Sequence, residues 1–140
     1  MKIFVDTSAF YALADESDRN YPHARNLYGS LIREQLVTTD HILLECWFLI
    51  GNRLGRRVAI EFWDGLRSGI VEMIKVESQD SNQAREIIKR FSDQDFSLVD
   101  ATSFAVMERE GMERAFTFDP HFRIYRFGKG NRQYFSVVPE

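Results

Sequence analysis

Four acidic side chains occupy positions where a carboxylate needs a reason to be. Asp6 follows Ile3-Phe4-Val5, a short run rich in strand-forming residues, and is itself followed by Thr7 and Ser8, which favour turns and helix N-caps. Asp119 stands in the same relation to the apolar run Ala115 to Phe118, with Pro120 stopping the strand. Glu45 interrupts Ile42-Leu43-Leu44 and Cys46-Trp47-Phe48-Leu49-Ile50, a stretch expected to form a largely buried helix. Asp100 opens a helical segment whose i+4 and i+7 positions are Phe104 and Met107, which turns the carboxylate inward.

Each acid has a structural explanation of its own. Asp6 and Asp119 fit turn or cap positions, Asp100 fits a helix first turn that favours an anion, and a buried Glu45 could be matched by an arginine. Taken together they suggest more. Hard divalent cations take oxygen ligands, and Mg²⁺ in particular uses one or two carboxylates plus water and substrate phosphate. A gathered set of acids repels itself unless a cation relieves it, and such a site hydrolyses phosphodiesters by activating water and stabilising the leaving oxygen. Mn²⁺ would bind such oxygens more tightly than Mg²⁺ does. Asp95, five residues before Asp100, is a weaker candidate for the same site, as are Thr7 and Ser8.

Other chemistries lack their residues. His23 lies at an exposed helix start, His41 just ahead of the apolar helix and His121 two residues past Asp119, with no paired His or Cys at zinc-ligand spacing. Thr7 and Ser8 have no evident base, and no glycine-rich phosphate loop is present. The single cysteine, Cys46, reads as a buried thiol in a reducing compartment.

The elements that must position these acids follow from periodicity. A strand over Ile3 to Val5 is followed by an amphipathic helix from Pro22, with Ala24, Leu27, Tyr28, Leu31 and Ile32 on one stripe, then by a strand at Leu36-Val37-Thr38. Thr39-Asp40 caps the apolar helix, Gly51 and Gly55 loosen the chain, and Ala59, Phe62, Trp63 and Leu66 form another stripe ending near Gly69. Val71 to Val76 reads as a strand, and Ala84, Ile87, Ile88 and Phe91 as a helix. The helix opened by Asp100 ends at Gly111, and Tyr134 to Val138 closes the chain as a strand. Strands alternating with helices predict right-handed crossovers and a three-layer α/β/α sandwich around a mainly parallel, twisted sheet. In such a sheet ligands bind at the carboxyl ends of the strands, where Asp6 and Asp119 would meet.

With 140 residues, 44% of them hydrophobic, the chain suits a single domain, 1–140, with a core of its own. The early charge at Lys2 and the lack of a long apolar run predict neither a signal peptide nor a membrane span, hence a cytoplasmic protein. A net charge of −3 excludes a protein that coats nucleic acid through bulk electrostatics. Arg123, Arg126, Lys129 and Arg132 nonetheless form a local run of cations without acids, and Arg53, Arg56 and Arg57 a smaller one. The first is a candidate path for a nucleic-acid backbone, since Arg and Lys contacts to phosphate position a strand without reading it.

The motifs around the four acids resemble those of the PIN-domain family, and within it the toxin ribonucleases of VapBC toxin-antitoxin pairs. Ile3-Phe4-Val5-Asp6-Thr7-Ser8-Ala9-Phe10 resembles the first motif, Leu43-Leu44-Glu45 the second, Leu98-Val99-Asp100-Ala101-Thr102-Ser103-Phe104 the third and Phe116-Thr117-Phe118-Asp119-Pro120-His121-Phe122 the last. The resemblance implies Asp6, Glu45, Asp100 and Asp119 as metal-binding and catalytic residues. It also implies a Mg²⁺- or Mn²⁺-dependent endoribonuclease acting on RNA, an antitoxin partner that occludes the site, and a homodimer. Two rival readings remain. A phosphatase using Asp6 as nucleophile would want a second acid two residues on, where Ser8 stands. A binding module of the same fold would act without cleaving anything, although it gains nothing from a repulsive acid cluster.

Overall fold

The computed structural model describes all residues, 1–140. Strand β1 (Lys2–Val5) leads into α1 (Thr7–Ala14), and α2 (Tyr21–Leu31) into β2 (Gln35–Thr39). Helices α3 (Asp40–Leu54) and α4 (Arg56–Arg67) precede β3 (Val71–Ile74), and α5 (Ser78–Arg90) and α6 (Leu98–Arg109) precede β4 (Arg114–Phe116). A short α7 (His121–Ile124) and a single 3₁₀ turn at Lys129–Asn131 connect to β5 (Ser136–Val138).

All five strands are parallel, in the order β3-β2-β1-β4-β5. The chain builds outward from β1 in one direction and then returns to its other side, so the sheet's switch point lies between β1 and β4, the place where a parallel sheet opens a crevice at its carboxyl edge. Val5 pairs with Phe116, and the Asp6 amide donates to the Phe116 carbonyl at 3.0 Å, which fixes the ends of these two strands side by side.

Alternate residues of β1 serve opposite faces of the sheet. Phe4 stacks on Phe122 of α7, which meets Phe104 of α6 edge-on, and Phe104 lies flat against Tyr125 with centroids 4.4 Å apart. Another helical layer joins α1, α2 and α4, with Phe10 against Phe62. The chain after Asp119 is thus held by two aromatic anchors, Phe122 and Tyr125, both fully buried.

Several expected boundaries move. The strand before Asp119 ends at Phe116, so Asp119 lies three residues beyond it on an extended segment whose Thr117 amide donates to the Val138 carbonyl. The expected strands over Val71 to Val76 and Tyr134 to Val138 contract to Val71–Ile74 and Ser136–Val138. Thr7 and Ser8, expected as turn or cap residues, open a helix, Thr7–Ala14, that Asp6 caps. Gly51 does not loosen the chain: α3 runs through it, and the break falls at Gly55, whose φ of 101° suits glycine.

The largest change concerns α3, which is not buried all round. Ile42, Cys46 and Ile50 face the core, whereas Leu44 and Phe48 are exposed on the opposite side. No helix is long and apolar enough to cross a membrane.

Helices α5 and α6 are tied by an ion pair that the sequence pattern does not reveal. The Arg109 guanidinium grips the almost fully buried Asp80 with two hydrogen bonds of 2.8 and 2.9 Å, and Asp80 also accepts from the Glu77 amide. Removing the cation strands a buried carboxylate, so Arg109→Met is expected to cost about 3 kcal/mol, read as a lower urea midpoint at constant slope. An unchanged midpoint would show that the pair contributes nothing net.

Candidate active site

Asp6 and Asp100 owe their places to helix starts at the carboxyl edge of the sheet, while Glu45 lies within α3 and Asp119 beyond the end of β4. Asp6 is the N-cap of α1 and only 3% exposed. Helix α6 descends to the amino end of β4, so its first turn lies at the opposite, carboxyl edge, and Asp100 occupies that turn. Ser97 and Asp100 form a capping box: the Ser97 hydroxyl accepts from the Asp100 amide and the Asp100 carboxylate accepts from the Ser97 amide, each at 3.0 Å. The capping role foreseen for Asp100 is therefore real, and it orients the carboxylate. Helix α3 starts from the end of β2, capped by Thr39, and carries Glu45 and Leu49 one turn apart along the same cleft.

Asp6, Glu45, Asp100 and Asp119 all line one cleft of about 300 Å³, together with Thr7, Ser8, Asp95, Ser97 and His121. Glu45 stands on the wall of this cleft. Its side chain is half-buried and has no arginine partner, so neither deep burial nor a compensating ion pair accounts for it; its position on the cleft wall does. Asp95 is exposed at the rim.

The bonding of three of these acids is lopsided in a consistent way. Asp6 Oδ2 accepts from the Ser8 hydroxyl and the Thr117 hydroxyl, both at 2.8 Å, and from the Ser8 amide at 3.3 Å, while Oδ1 accepts nothing. Asp100 Oδ2 takes the Ser97 amide and lies 2.8 Å from His121 Nδ1, with Oδ1 left over. Asp119 Oδ1 accepts from the His121 amide at 2.9 Å and lies 3.5 Å from His121 Nδ1, with Oδ2 left over. Each carboxylate thus has one oxygen fixed by a neighbour and one free, which is how outer partners orient the ligands of a metal site.

His121, set apart from the four acids in the sequence pattern, lines the same cleft. Its imidazole bridges Asp100 and Asp119, and one ligand atom from each of these three residues falls within 4.8 Å of the others. A signal was present: His121 sits two residues after Asp119, at a helix start that must face the crevice.

Burial and charge crowding both perturb the ionisable groups of the site. Burial pushes Asp6 up to about 7, with the charges of Asp100 and Asp119 adding to the effect and the Thr117 and Ser8 hydrogen bonds opposing it. Burial, and then the Asp119 charge, raises Asp100 as well, against the pull of His121 and the Ser97 amide. Burial opposes protonation of His121, but the Asp100 hydrogen bond and the surrounding carboxylates outweigh it and raise the imidazole. Free carboxylate oxygens in a crowded negative cleft are the donor chemistry that suits a hard divalent cation, and Asp100, Asp119 and His121 are close enough together to share one, with Asp6 and Glu45 elsewhere on the cleft wall.

The cations of the closing segment divide. Arg123 is exposed close to Asp119, its guanidinium donating to the Pro139 carbonyl at 2.8 Å. Arg126 is spent locally, donating to the carbonyls of Arg123 and Tyr125 and covering the Tyr134 ring. Lys129 and Arg132 belong to a turn bounded by Gly128 and Gln133, which sit beside Gly111 to Glu113 at the amino end of β4, the far edge of the sheet from the acids. The expectation of one continuous path along these four residues fails, because the chain turns away from the cleft after Arg123.

Comparison with known proteins agrees with this architecture. The PIN domain model matches residues 3–128. The chain is 37% identical over 125 residues to the 23S rRNA-specific endonuclease VapC20 of Mycobacterium tuberculosis, covering 89% of this chain and 95% of that protein. It is 25% identical over 138 residues to ribonuclease VapC26 of the same organism, covering 98% of this chain and all of that one. The crystal structure of VapC20, described as a Sarcin-Ricin loop cleaving toxin, superposes with a TM-score of 0.83 at 35% identity, over 87% of this chain and 93% of that one. DNA-bound VapBC from Salmonella typhimurium gives a TM-score of 0.69 at 13% identity over 98% of both chains, a likeness of fold alone. With the family model spanning nearly the whole sheet and both of its helical layers, the chain belongs to the PIN-domain family.

Proposed function

We propose that this protein is a metal-dependent endoribonuclease, the toxin of a VapBC-type pair, that hydrolyses RNA phosphodiester bonds with Mg²⁺ or Mn²⁺ in the cytoplasm. The observation that carries the reading is the convergence of Asp6, Asp100 and Asp119, each with one oxygen tied and one free, at the switch point of the sheet. Ribosomal RNA is the first substrate to test, given what VapC20 is named for.

The bound cation would supply Lewis acidity toward the phosphate and lower the pKa of water. The chain's own residues set the stage for it. Ser8 and Thr117 hold Asp6 in one rotamer, Ser97 and His121 hold Asp100, and the backbone of α7 holds Asp119. Glu45, with no bonding partner of its own, stands free on the wall to take a proton from water.

A nucleophilic Asp6 is disfavoured by its near-complete burial and by the absence of any Lys or Arg along the cleft to bind a phosphorylated small molecule. Cleavage of ribosomal RNA that requires Mn²⁺ or Mg²⁺ and stops with chelator is the expected result; cleavage undiminished by chelator would overturn the proposal. His121→Ala is expected to weaken Mn²⁺ binding by about 10- to 100-fold in calorimetric titration, since His121 orients two ligands at once. Equal affinity in the variant would remove His121 from the site.

We further propose a homodimer, supported by the exposed apolar pair Leu44 and Phe48 one turn apart on α3. Light scattering should return twice the 16.4 kDa chain mass, and Phe48→Glu should halve it. An antitoxin encoded beside this chain would complete the pair.

A further inference from the structure

The acid cleft has no Lys or Arg among its lining residues, yet an RNA strand threading it brings a phosphate with every nucleotide. Phosphates on either side of the one being cleaved therefore need cations just outside the cleft. One neighbouring cavity is built for that. The extended segment Thr117 to Pro120 has the acid cleft on one side, where Thr117 bonds Asp6 and Asp119 stands. On its other side lies a separate notch of about 350 Å³, lined by Asn20, His23, Thr117, Phe118, Arg123 and Glu140. That volume falls in the roughly 300–1,000 Å³ range of ligand pockets.

Thr117 is spent on Asp6 and the Asp119 amide, but three other polar side chains of the notch are largely free. Arg123 uses a single hydrogen bond, to the Pro139 carbonyl, and forms no ion pair, so its guanidinium is held in place with most of its donors free. Asn20 precedes α2 without using its side chain as a cap, and His23 is exposed on the first turn of that helix. Phe118, edge-on to Phe116 and packed against the core, is half-buried and lines the notch with the part of its ring that remains. Glu140 is the lone acid, at the rim. A guanidinium, an imidazole, a free amide and an aromatic face are the set that binds phosphate and base together.

We propose that this notch is a nucleotide subsite, which takes the RNA nucleotide beside the scissile phosphate, its phosphate on Arg123 and His23 and its base against Phe118. The proposal rests on the ribonuclease reading and names where that enzyme holds its substrate. Because the notch lies across one strand of polypeptide from the acids, filling it fixes the register of the strand in the cleft without touching the metal ligands.

The test uses a fluorescein-labelled single-stranded RNA oligonucleotide of mixed sequence and the non-cleaving Asp100→Asn protein. Adding Arg123→Ala should weaken binding about tenfold at low salt and reduce the slope of log affinity against log salt by about one. Adding Phe118→Leu should weaken binding about tenfold with the salt slope unchanged, because stacking releases no counterions. Arg132→Ala, at the far edge of the sheet, should change neither. In the cleaving enzyme Arg123→Ala should raise KM at nearly constant kcat, and Arg123→Lys should recover most of the loss. Affinity and slope unaltered in both notch variants would overturn the subsite while leaving RNA cleavage by the unmodified protein intact. Weakening at Arg123 alone would overturn the base-binding half. Failure of the unmodified protein to cleave RNA with Mn²⁺ would instead bring down the ribonuclease reading itself.

Discussion

Asp100→Asn should lower kcat/KM for RNA cleavage by at least about a thousandfold, a loss of about 4 kcal/mol of transition-state stabilisation, while the protein stays folded. The substitution is nearly isosteric. An asparagine oxygen can still accept from the Ser97 amide, so the capping box that starts α6 survives. What disappears is the charge, and with it one of the carboxylates that line the cleft. The effect should appear in gel-resolved cleavage of RNA with saturating Mn²⁺, alongside an unchanged far-UV spectrum. The Asp100→Asn protein retaining a tenth of the activity would mean that Asp100 serves α6 rather than the reaction. The same reasoning ranks the other acids: Asp119→Asn should match it, whereas Asp95, exposed at the rim and bonded to nothing, should tolerate Asn with a loss of under about tenfold.

The residues that sequence pattern made legible were those whose local context stated their position. Asp6 is fixed by a strand of three apolar residues and by the cap it forms, and both signals lie within five residues of it. Asp100 was legible in the same way, through the i+4 and i+7 aromatic and apolar positions of α6. The apolar run around Glu45 does not make it deeply buried. An apolar run looks the same whether its outer face is covered by the same chain or left open, and in α3 Leu44 and Phe48 are left open.

Contacts between distant segments were not legible. Thr117 bonds Asp6 across 111 positions, and His121 reaches Asp100 across 21. Neither pairing leaves a periodic trace, because each depends on where two loops end in space. The Asp80–Arg109 pair is hidden for the same reason. The divided fate of Arg123, Arg126, Lys129 and Arg132 shows the converse: charges adjacent in sequence are separated once the chain turns at Gly128, whose φ is 74°. Proximity along the chain suggested one surface, and the turn made two.

The cost of gathering the acids should be measurable as a pH dependence of stability in chelator-treated protein. Asp6 ionises near 3.8 in the unfolded chain and at about 7 in the folded one, because burial disfavours the charged form. Between those values the folded state holds a proton that the unfolded state has released, so stability falls as pH rises through this window. The full difference, at 1.36 kcal/mol per unit, is about 4 kcal/mol of native-state stability present below pH 4 and lost above pH 7. Asp100 and His121 are also raised, and their contributions have the same sign. Asp15 and Asp80 are lowered and act in the opposite sense, losing stability as pH falls through their folded values, but they are common to any variant at Asp6. The comparison with Asp6→Asn therefore removes their contribution and reads Asp6 together with its coupling to Asp100 and Asp119. Without metal, the variant and the unmodified protein should melt together near pH 4 and diverge as pH rises, the variant becoming the more stable by pH 8. Adding Mn²⁺ at pH 8 should close the gap by stabilising only the unmodified protein appreciably, since a bound cation replaces the missing positive charge. Melting curves that run parallel from pH 4 to pH 8 would mean that Asp6 is charged at no cost in the fold, and its burial would give the cleft no need of a cation.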